Sequence, residues 1–137
     1  MKNKKEEKIG ITAVSSDLNS LVDSRFGRCS YFLIVDEEGK LLDVISNQGQ
    51  QARRGAGIAA AQDLVDSGVK VVISGNIGPS AYSVLDSSGI KIFQVDYGIT
   101  ADKALEKYKK GELEKVENPA QAGPFPPGER RERFRGR

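Results

Sequence analysis

Two arginines flank the only cysteine of the chain in the segment Arg25-Phe26-Gly27-Arg28-Cys29. Positive neighbours lower the pKa of a thiol and favour the thiolate, which is the form that ligates metals. Gly27 has no side chain, so it permits the backbone to approach a ligand closely. The segment predicts an anion or cluster site at Arg25, Gly27, Arg28 and Cys29, with Cys29 as the metal ligand. A small buried cysteine beside two solvated arginines is the alternative that these residue types leave open.

A second segment, Gln48–Gly57, places two arginines and two glycines where a helical pattern begins. Backbone N–H groups at a helix N-terminus and the helix dipole favour an anion there. The guanidinium groups of Arg53 and Arg54 add fork-shaped donors. We therefore predict ligand contacts at Arg53, Arg54, Gly55 and Gly57. An ordinary glycine-containing loop is the alternative, because the third glycine and the preceding strand of a dinucleotide fingerprint are missing.

A third segment, Gly75-Asn76-Ile77-Gly78-Pro79, joins a predicted strand to a predicted helix. Its glycines permit close approach of a ligand, and it leads into an unblocked helix start. We predict ligand contacts at Gly75, Asn76 and Gly78. A tight turn between strand and helix is the alternative.

The composition excludes several kinds of active site. The chain has no histidine, which excludes imidazole bases and ligands and, with them, Ser-His-Asp and Cys-His catalysis. The scattered carboxylates of Asp17, Asp23 and Asp36 are typical of caps and turns, not of a two-metal centre. A binding protein is predicted, not an enzyme. A redox or nucleophilic role for Cys29 is a further hypothesis, although no base or resolving cysteine accompanies it.

The elements that position these segments follow from hydrophobic periodicity. Strands are predicted at residues 8–14, 31–36, 41–46, 69–74 and 90–95, and helices from 55, over 80–88 and from 100. The first helix directs Ile58, Ala61, Leu64 and Val65 inward, and Thr100 caps the third. Alternation of strand and helix in the second half predicts an α/β fold with parallel strands, to which a hairpin adds antiparallel ones. The three segments then converge beyond the carboxyl ends of the parallel strands, where ligands bind in open α/β sheets.

The length of 137 residues suits one domain, predicted over 8–117 after a flexible lead-in at 1–7. Residues 118–137 form a Pro- and Arg-rich tail that we predict to be disordered. The charge of the tail is +3, and that of the whole chain is +2, so the remaining residues carry −1. This nearly neutral charge of the predicted domain argues against nucleic-acid binding. The tail is either a solvated end or a contact for an acidic partner, with Phe125 and Phe134 as apolar points.

No apolar run approaches the roughly 20 residues that span a bilayer, and no signal-type run follows the charged N-terminus. One cysteine fits a reducing compartment. We therefore expect a cytoplasmic protein without membrane contact.

Three stretches in order, Arg25–Asp36, Gly55–Leu85 and Gly89–Val95, resemble the dinitrogenase iron–molybdenum cofactor-binding family. The resemblance covers about residues 8–115. It implies a ribonuclease H-like motif: a mixed five-stranded sheet of order 3-2-1-4-5, with strand 2 antiparallel, and three helices. It also implies binding or delivery of an anionic metal–sulfur cluster, of iron–molybdenum or iron–sulfur type, at a surface that includes Cys29 and the loop before Gly55.

Relatives often carry histidine just before the Gly-Ala-Gly motif, where this chain has Gln50, Gln51, Arg53 and Arg54. With one thiol and no imidazole, a closed four-ligand metal site cannot form within one chain. A cluster would then be held mainly by hydrogen bonds and charge, or be shared between protomers.

Two functions are therefore expected in turn. The first is a non-catalytic carrier of such a cluster in cofactor assembly or metal homeostasis, with an acceptor or cluster-assembly protein as partner. The alternative is a protein-interaction or regulatory module of the same fold with no bound cluster.

Overall fold

The computed structural model describes residues 7–47, 56–95 and 98–117. Within these ranges the strands are β1 (Lys8–Ala13), β2 (Tyr31–Val35), β3 (Leu41–Ser46), β4 (Val69–Ser74), β5 (Lys91–Gln94) and β6 (Glu114–Lys115). The helices are α1 (Ala56–Ser67), α2 (Pro79–Ser87) and α3 (Ala101–Lys109). The predicted order of elements is confirmed from β1 to α3.

All six strands form one mixed sheet of order β3-β2-β1-β4-β5-β6. β1 is antiparallel to β2 and parallel to β4, and β4 is parallel to β5. The predicted order 3-2-1-4-5 with strand 2 antiparallel is therefore confirmed, but the prediction of five strands is wrong. β6 pairs with β5 through Phe93–Lys115 and Gln94–Glu114, and both of its polar residues are exposed. Such a short polar strand has no hydrophobic pattern to reveal it. The ribonuclease H-like label stays a prediction.

Apolar side chains cover both faces of the sheet and form two cores. Phe32, Ile34 and Val72 face α1 and α2 on one side. On the other side of the sheet, Ile11, Leu33 and the strand residues whose side chains point to the same face pack against α3. The central strands β1, β2 and β4 are buried on both faces, as their near-continuous apolar sequences predict.

The inward face of α1 differs from the prediction at one position. Ala60, Ala61 and Leu64 are fully buried and Val65 is half-buried, whereas Ile58 is 44% exposed. Small side chains form this stripe because α1 packs closely against α2, so that a Cβ on Gly57 would lie 3.4 Å from the Ala81 Cβ. Ile58 lies in the first turn, on a side of the helix away from the stripe.

The last residue but one of the predicted folded region is buried. Val116 is 3% exposed, and its N–H donates to the Ile92 carbonyl at 2.8 Å. Residues 1–6 of the predicted lead-in at 1–7 lie outside the described residues, and so does the predicted tail at 118–137. Across the described ranges, no helix is both long and apolar enough to cross a membrane.

Candidate functional site

The loops that follow β1, β4 and β5 meet at the edge of the sheet formed by the carboxyl ends of these strands. Arg25, in the loop after β1, forms an isolated parallel bridge with Asn76, which follows β4. The Phe26 N–H donates to the Asn76 carbonyl at 2.9 Å. Two of the three predicted ligand segments are therefore in direct contact. Of the third, the predicted contacts Arg53, Arg54 and Gly55 lie outside the described residues, and Gly57 lies in the first turn of α1.

The backbone at Gly75 and Asn76 is occupied by the chain itself. The Gly75 N–H donates to the Asp23 carbonyl at 3.1 Å, and the Asn76 N–H donates to the Ser24 carbonyl at 2.8 Å. A Cβ on Gly75 would lie 2.5 Å from the Ser24 Cα. The expected close approach at Gly75 is thus made by the loop after β1, and not through space left for a ligand.

Asp23 holds Arg25 at this edge. The Asp23 carboxylate is nearly buried, accepts the Arg25 N–H at 3.0 Å, and lies 3.8 Å from the Arg25 Nε. The Arg25 side chain remains 65% exposed. The interpretation of Asp23 as a turn residue is confirmed, and its ion pair with the predicted ligand arginine is an additional finding. Gly27 and Arg28, which follow Arg25 in the same loop, are half-buried.

Cys29 is fully buried, so of the two sequence interpretations the structure shows the buried cysteine. Burial raises the pKa of the Cys29 thiol from 9.0 to about 12, and the charge of Asp23 adds to this shift. The prediction that flanking arginines lower the pKa of the Cys29 thiol is therefore wrong for this structure, because burial is the main cause of the shift and acts in the opposite direction. Its role as a metal ligand stays a prediction, and it requires Cys29 to become exposed.

Asn47 is a site residue that the sequence did not reveal. It follows β3 and is 4% exposed. Its Nδ2 donates to the Gly27 carbonyl at 3.1 Å and to the Cys29 carbonyl at 2.9 Å, and lies 3.9 Å from the Cys29 Sγ. These contacts span 18 to 20 residues along the chain, so no local pattern announces them.

Two helix N-termini lie side by side at this edge. Gly57 in the first turn of α1 packs against Ala81 in the first turn of α2. Gly78 is the N-cap of α2, and no side chain of the described residues caps it. The start of α3 differs, because the N–H groups of Ala101 and Asp102 donate to the carbonyls of Ser20 and Leu18. The paired starts of α1 and α2 present positive dipole ends to an anion.

A separate groove of about 650 Å³ lies beside α3, at the end of β5. Its charged side chains are Lys103 and Lys107 on the helix and Glu112 and Glu114 near β6. These charges cancel, and Lys107 is paired with Glu112 at 3.9 Å. The groove was not predicted, and its lining includes none of the predicted ligand residues that the structure describes.

Metal-ligating side chains are sparse at the site. Across residues 7–47, 56–95 and 98–117, no three His, Cys, Asp or Glu side chains are grouped to hold a metal ion. The described part of the site therefore offers cationic and N–H donor groups more readily than a cage of ligands.

The sequence and the fold are similar to those of known proteins. Over 102 residues the chain is 33% identical to an uncharacterised protein of Methanocaldococcus jannaschii, covering 72% of this chain and 86% of that protein. It is 35% identical to the orange protein of Desulfovibrio gigas, whose apo form superposes with a TM-score of 0.78 over 83% of this chain and 96% of that one. A putative NifB protein from Thermotoga is 34% identical, with a TM-score of 0.69 over 80% of this chain and 92% of that one.

A family model described as dinitrogenase iron-molybdenum cofactor matches residues 7–111, which include β1 to α3 and the whole described part of the site edge. The resemblance expected from the sequence is thereby confirmed. The chain belongs to the dinitrogenase iron–molybdenum cofactor family.

Proposed function

We propose that this chain is a non-catalytic carrier of an anionic metal–sulfur cluster, of iron–molybdenum or iron–sulfur type, in cofactor assembly or metal homeostasis. Family membership supports a cluster-associated role. The observation that carries the proposal is the exposed Arg25 guanidinium, held by Asp23 where the loops after the parallel strands β1 and β4 meet. Open α/β sheets bind ligands at this edge.

Charge and hydrogen bonding would hold the cluster. Arg25 supplies a permanent positive charge with several N–H donors, and the start of α2 at Gly78 supplies a dipole end. The sulfides and oxo groups of a cluster can accept hydrogen bonds from these N–H donors. Because Arg25 is exposed, we expect uptake to weaken as ionic strength rises.

The residue types available for catalysis support a carrier and not an enzyme. The chain has no histidine, so imidazole acid–base chemistry is excluded. Its single thiol has a pKa of about 12 and is buried, which leaves little thiolate to act as a nucleophile near neutral pH.

The test is anaerobic incubation of the full chain with iron, sulfide and molybdate, followed by metal and sulfide analysis and an absorption spectrum. Arg25→Glu should lose most of the uptake while its thermal melting temperature stays close to that of the wild type. Lys91→Glu is the matched control, since it makes the same charge change on an exposed side chain at the opposite edge of the sheet. Full uptake by Arg25→Glu, or equal loss in both variants, contradicts the proposal.

Cys29→Ala tests the predicted metal ligand in the same assay. Metal that is lost in this variant supports a thiolate-anchored cluster, which requires the buried Cys29 to become exposed. Metal that is retained assigns the site to the arginines and the helix N-termini, including Arg53 and Arg54, whose charge reversals then take priority.

A protein-interaction module is the second candidate function. Two large apolar side chains in the loop after β1, Val14 and Leu21, are 46% and 45% exposed. The two residues lie side by side, because the backbone N–H of Val14 donates to the carbonyl of Leu21. An acceptor or cluster-assembly protein would contact this pair, and an acidic partner would contact residues 118–137. Absence of metal uptake by the wild type, together with capture of a partner that Val14→Ser and Leu21→Ser abolish, would favour this function.

A further inference from the structure

Cys29 directly follows the segment 26–28, in which Gly27 and Arg28 are half-buried. The Cys29 side chain is fully buried, and Phe26 is 2% exposed with its ring 5.9 Å from that of Phe32. The first half of the segment is fixed to β4, because the Phe26 N–H donates to the Asn76 carbonyl. The second half, from Gly27 to Cys29, needs a separate anchor.

Asn47 provides that anchor. An asparagine amide nitrogen carries two hydrogens, and here it reaches two carbonyls of the same segment, those of Gly27 at 3.1 Å and Cys29 at 2.9 Å. The Asn47 backbone N–H also donates to the Ser30 carbonyl at 3.0 Å. No alanine, aspartate or serine at this position can satisfy both carbonyls at once. Buried carbonyls that lose their donor favour a rearranged segment.

We propose that Asn47 is a positioning residue of the cluster site: its side-chain amide latches residues 27–29 in place, which orients the arginine segment and seals the Cys29 thiol. The cluster-related part rests on the proposed function. Asn47 also directly precedes Gln48, so both predicted ligand segments are tied to it, one through hydrogen bonds and the other through the chain. Release of the latch exposes Cys29.

The latch is tested first without metal, by the rate at which iodoacetamide alkylates Cys29 in the native full chain at one pH. Asn47→Ala removes both donors and should raise this rate about tenfold or more, since local opening becomes easier. Asn47→Ser keeps one hydroxyl donor and should give an intermediate rate. Asn19→Ala, at an exposed turn, is the control and should react like the wild type.

Local opening is separated from lost stability by hydrogen exchange at the Ile11 amide in the centre of β1, which reports global unfolding. A faster Cys29 reaction with unchanged Ile11 exchange supports the latch. An unchanged alkylation rate in folded Asn47→Ala and Asn47→Ser overturns the latch. So does an increase in the Cys29 alkylation rate that is accompanied by an equal increase in the exchange rate of the Ile11 amide.

The metal, sulfide and spectroscopic assay on the same variants should show at least about a halving of uptake, as expected for a displaced binding group. Full uptake overturns the positioning role, whereas no uptake by the wild type refutes the proposed function and leaves the thiol result standing.

Discussion

Gly75 lies directly against Ser24, where no larger residue fits: a Cβ on Gly75 would be 2.5 Å from the Ser24 Cα and 2.8 Å from the Asp23 carbonyl oxygen. The approach allows the N–H groups of Gly75 and Asn76 to donate to the carbonyls of Asp23 and Ser24. The loop after β1 is thereby joined to the end of β4. The geometry of the candidate site depends on this junction.

Gly75→Ala should therefore destabilise the protein, because the added methyl meets backbone atoms that cannot rotate away. We expect the free energy of unfolding to fall by about 2–3 kcal/mol, as for overpacked core positions. Urea denaturation measures the loss. Gly78→Ala is the matched control, since its Cβ would meet nothing within 4 Å and its φ of −77° suits any residue. Alanine is a poorer N-cap than glycine, so a smaller loss of about 0.5–1 kcal/mol is expected. Equal losses in the two variants would refute the tight junction.

Burial of Cys29 predicts a dependence of stability on alkaline pH. Its pKa is raised to about 12 in the folded state, so the unfolded chain, with a pKa near 9.0, releases the proton first. The stability from the sealed thiol is complete below pH 9.0 and is lost as pH rises toward 12. Between about pH 9 and 10, the wild type should lose about 1 kcal/mol more of its unfolding free energy than Cys29→Ala. Parallel pH profiles would show that the thiol is not sealed.

The turn between β2 and β3 predicts a dependence on acid pH. The Asp36 carboxylate accepts the N–H groups of Lys40 and Glu38, both at 2.9 Å, and the Lys40 bond is the main cause that lowers the pKa of Asp36 below 3.8. The stabilisation is present above pH 3.8 and is lost as pH falls through the lower folded value. Asp36→Ala should melt at a lower temperature than the wild type at neutral pH, with a gap that narrows in acid. A gap independent of pH would contradict this role.

Val116 is buried close to the end of the region predicted to fold, residues 8–117. Val116→Ala should lower the unfolding free energy by about 1.5–2 kcal/mol, because two buried methyl groups' worth of contact is lost. A chain that ends after Glu117 should keep the melting temperature of the full chain, as the predicted boundary between 117 and 118 requires. Scanning calorimetry on both variants checks the two statements. A lower melting temperature of the shortened chain would show that residues 118–137 contribute to folding.

Much of the fold was predictable because its elements follow simple periodicities. The buried strands β2 and β4 show as apolar runs, and α2 and α3 are bounded by Pro79 and by glycines with positive φ at Gly89 and Gly111. Convergence of Arg25 with Asn76 followed from topology alone. β6 was not predicted, because its two residues pair only through the backbone.

The inner side of the site was less predictable, because it consists of contacts between distant parts of the chain. Asn47 reaches Cys29 across 18 residues, and Gly75 is explained by contact with Ser24 and not by a ligand. The sequence around Cys29 shows two arginines, but it does not show that Phe26, Cys29 and Asn47 are all buried. Burial of a thiol is set by tertiary packing.

The antiparallel pairing of β6 returns the chain to the start of β5, where Val116 lies beside Ile92. β1 begins at the same end of the sheet, because it is parallel to β4 and β4 is parallel to β5. Glu7 and Glu117 therefore both lie at the edge opposite the candidate site. A fluorophore or sensor surface coupled at position 7 or 117 lies away from the candidate site, so protein attached there remains suited to measuring ligand uptake.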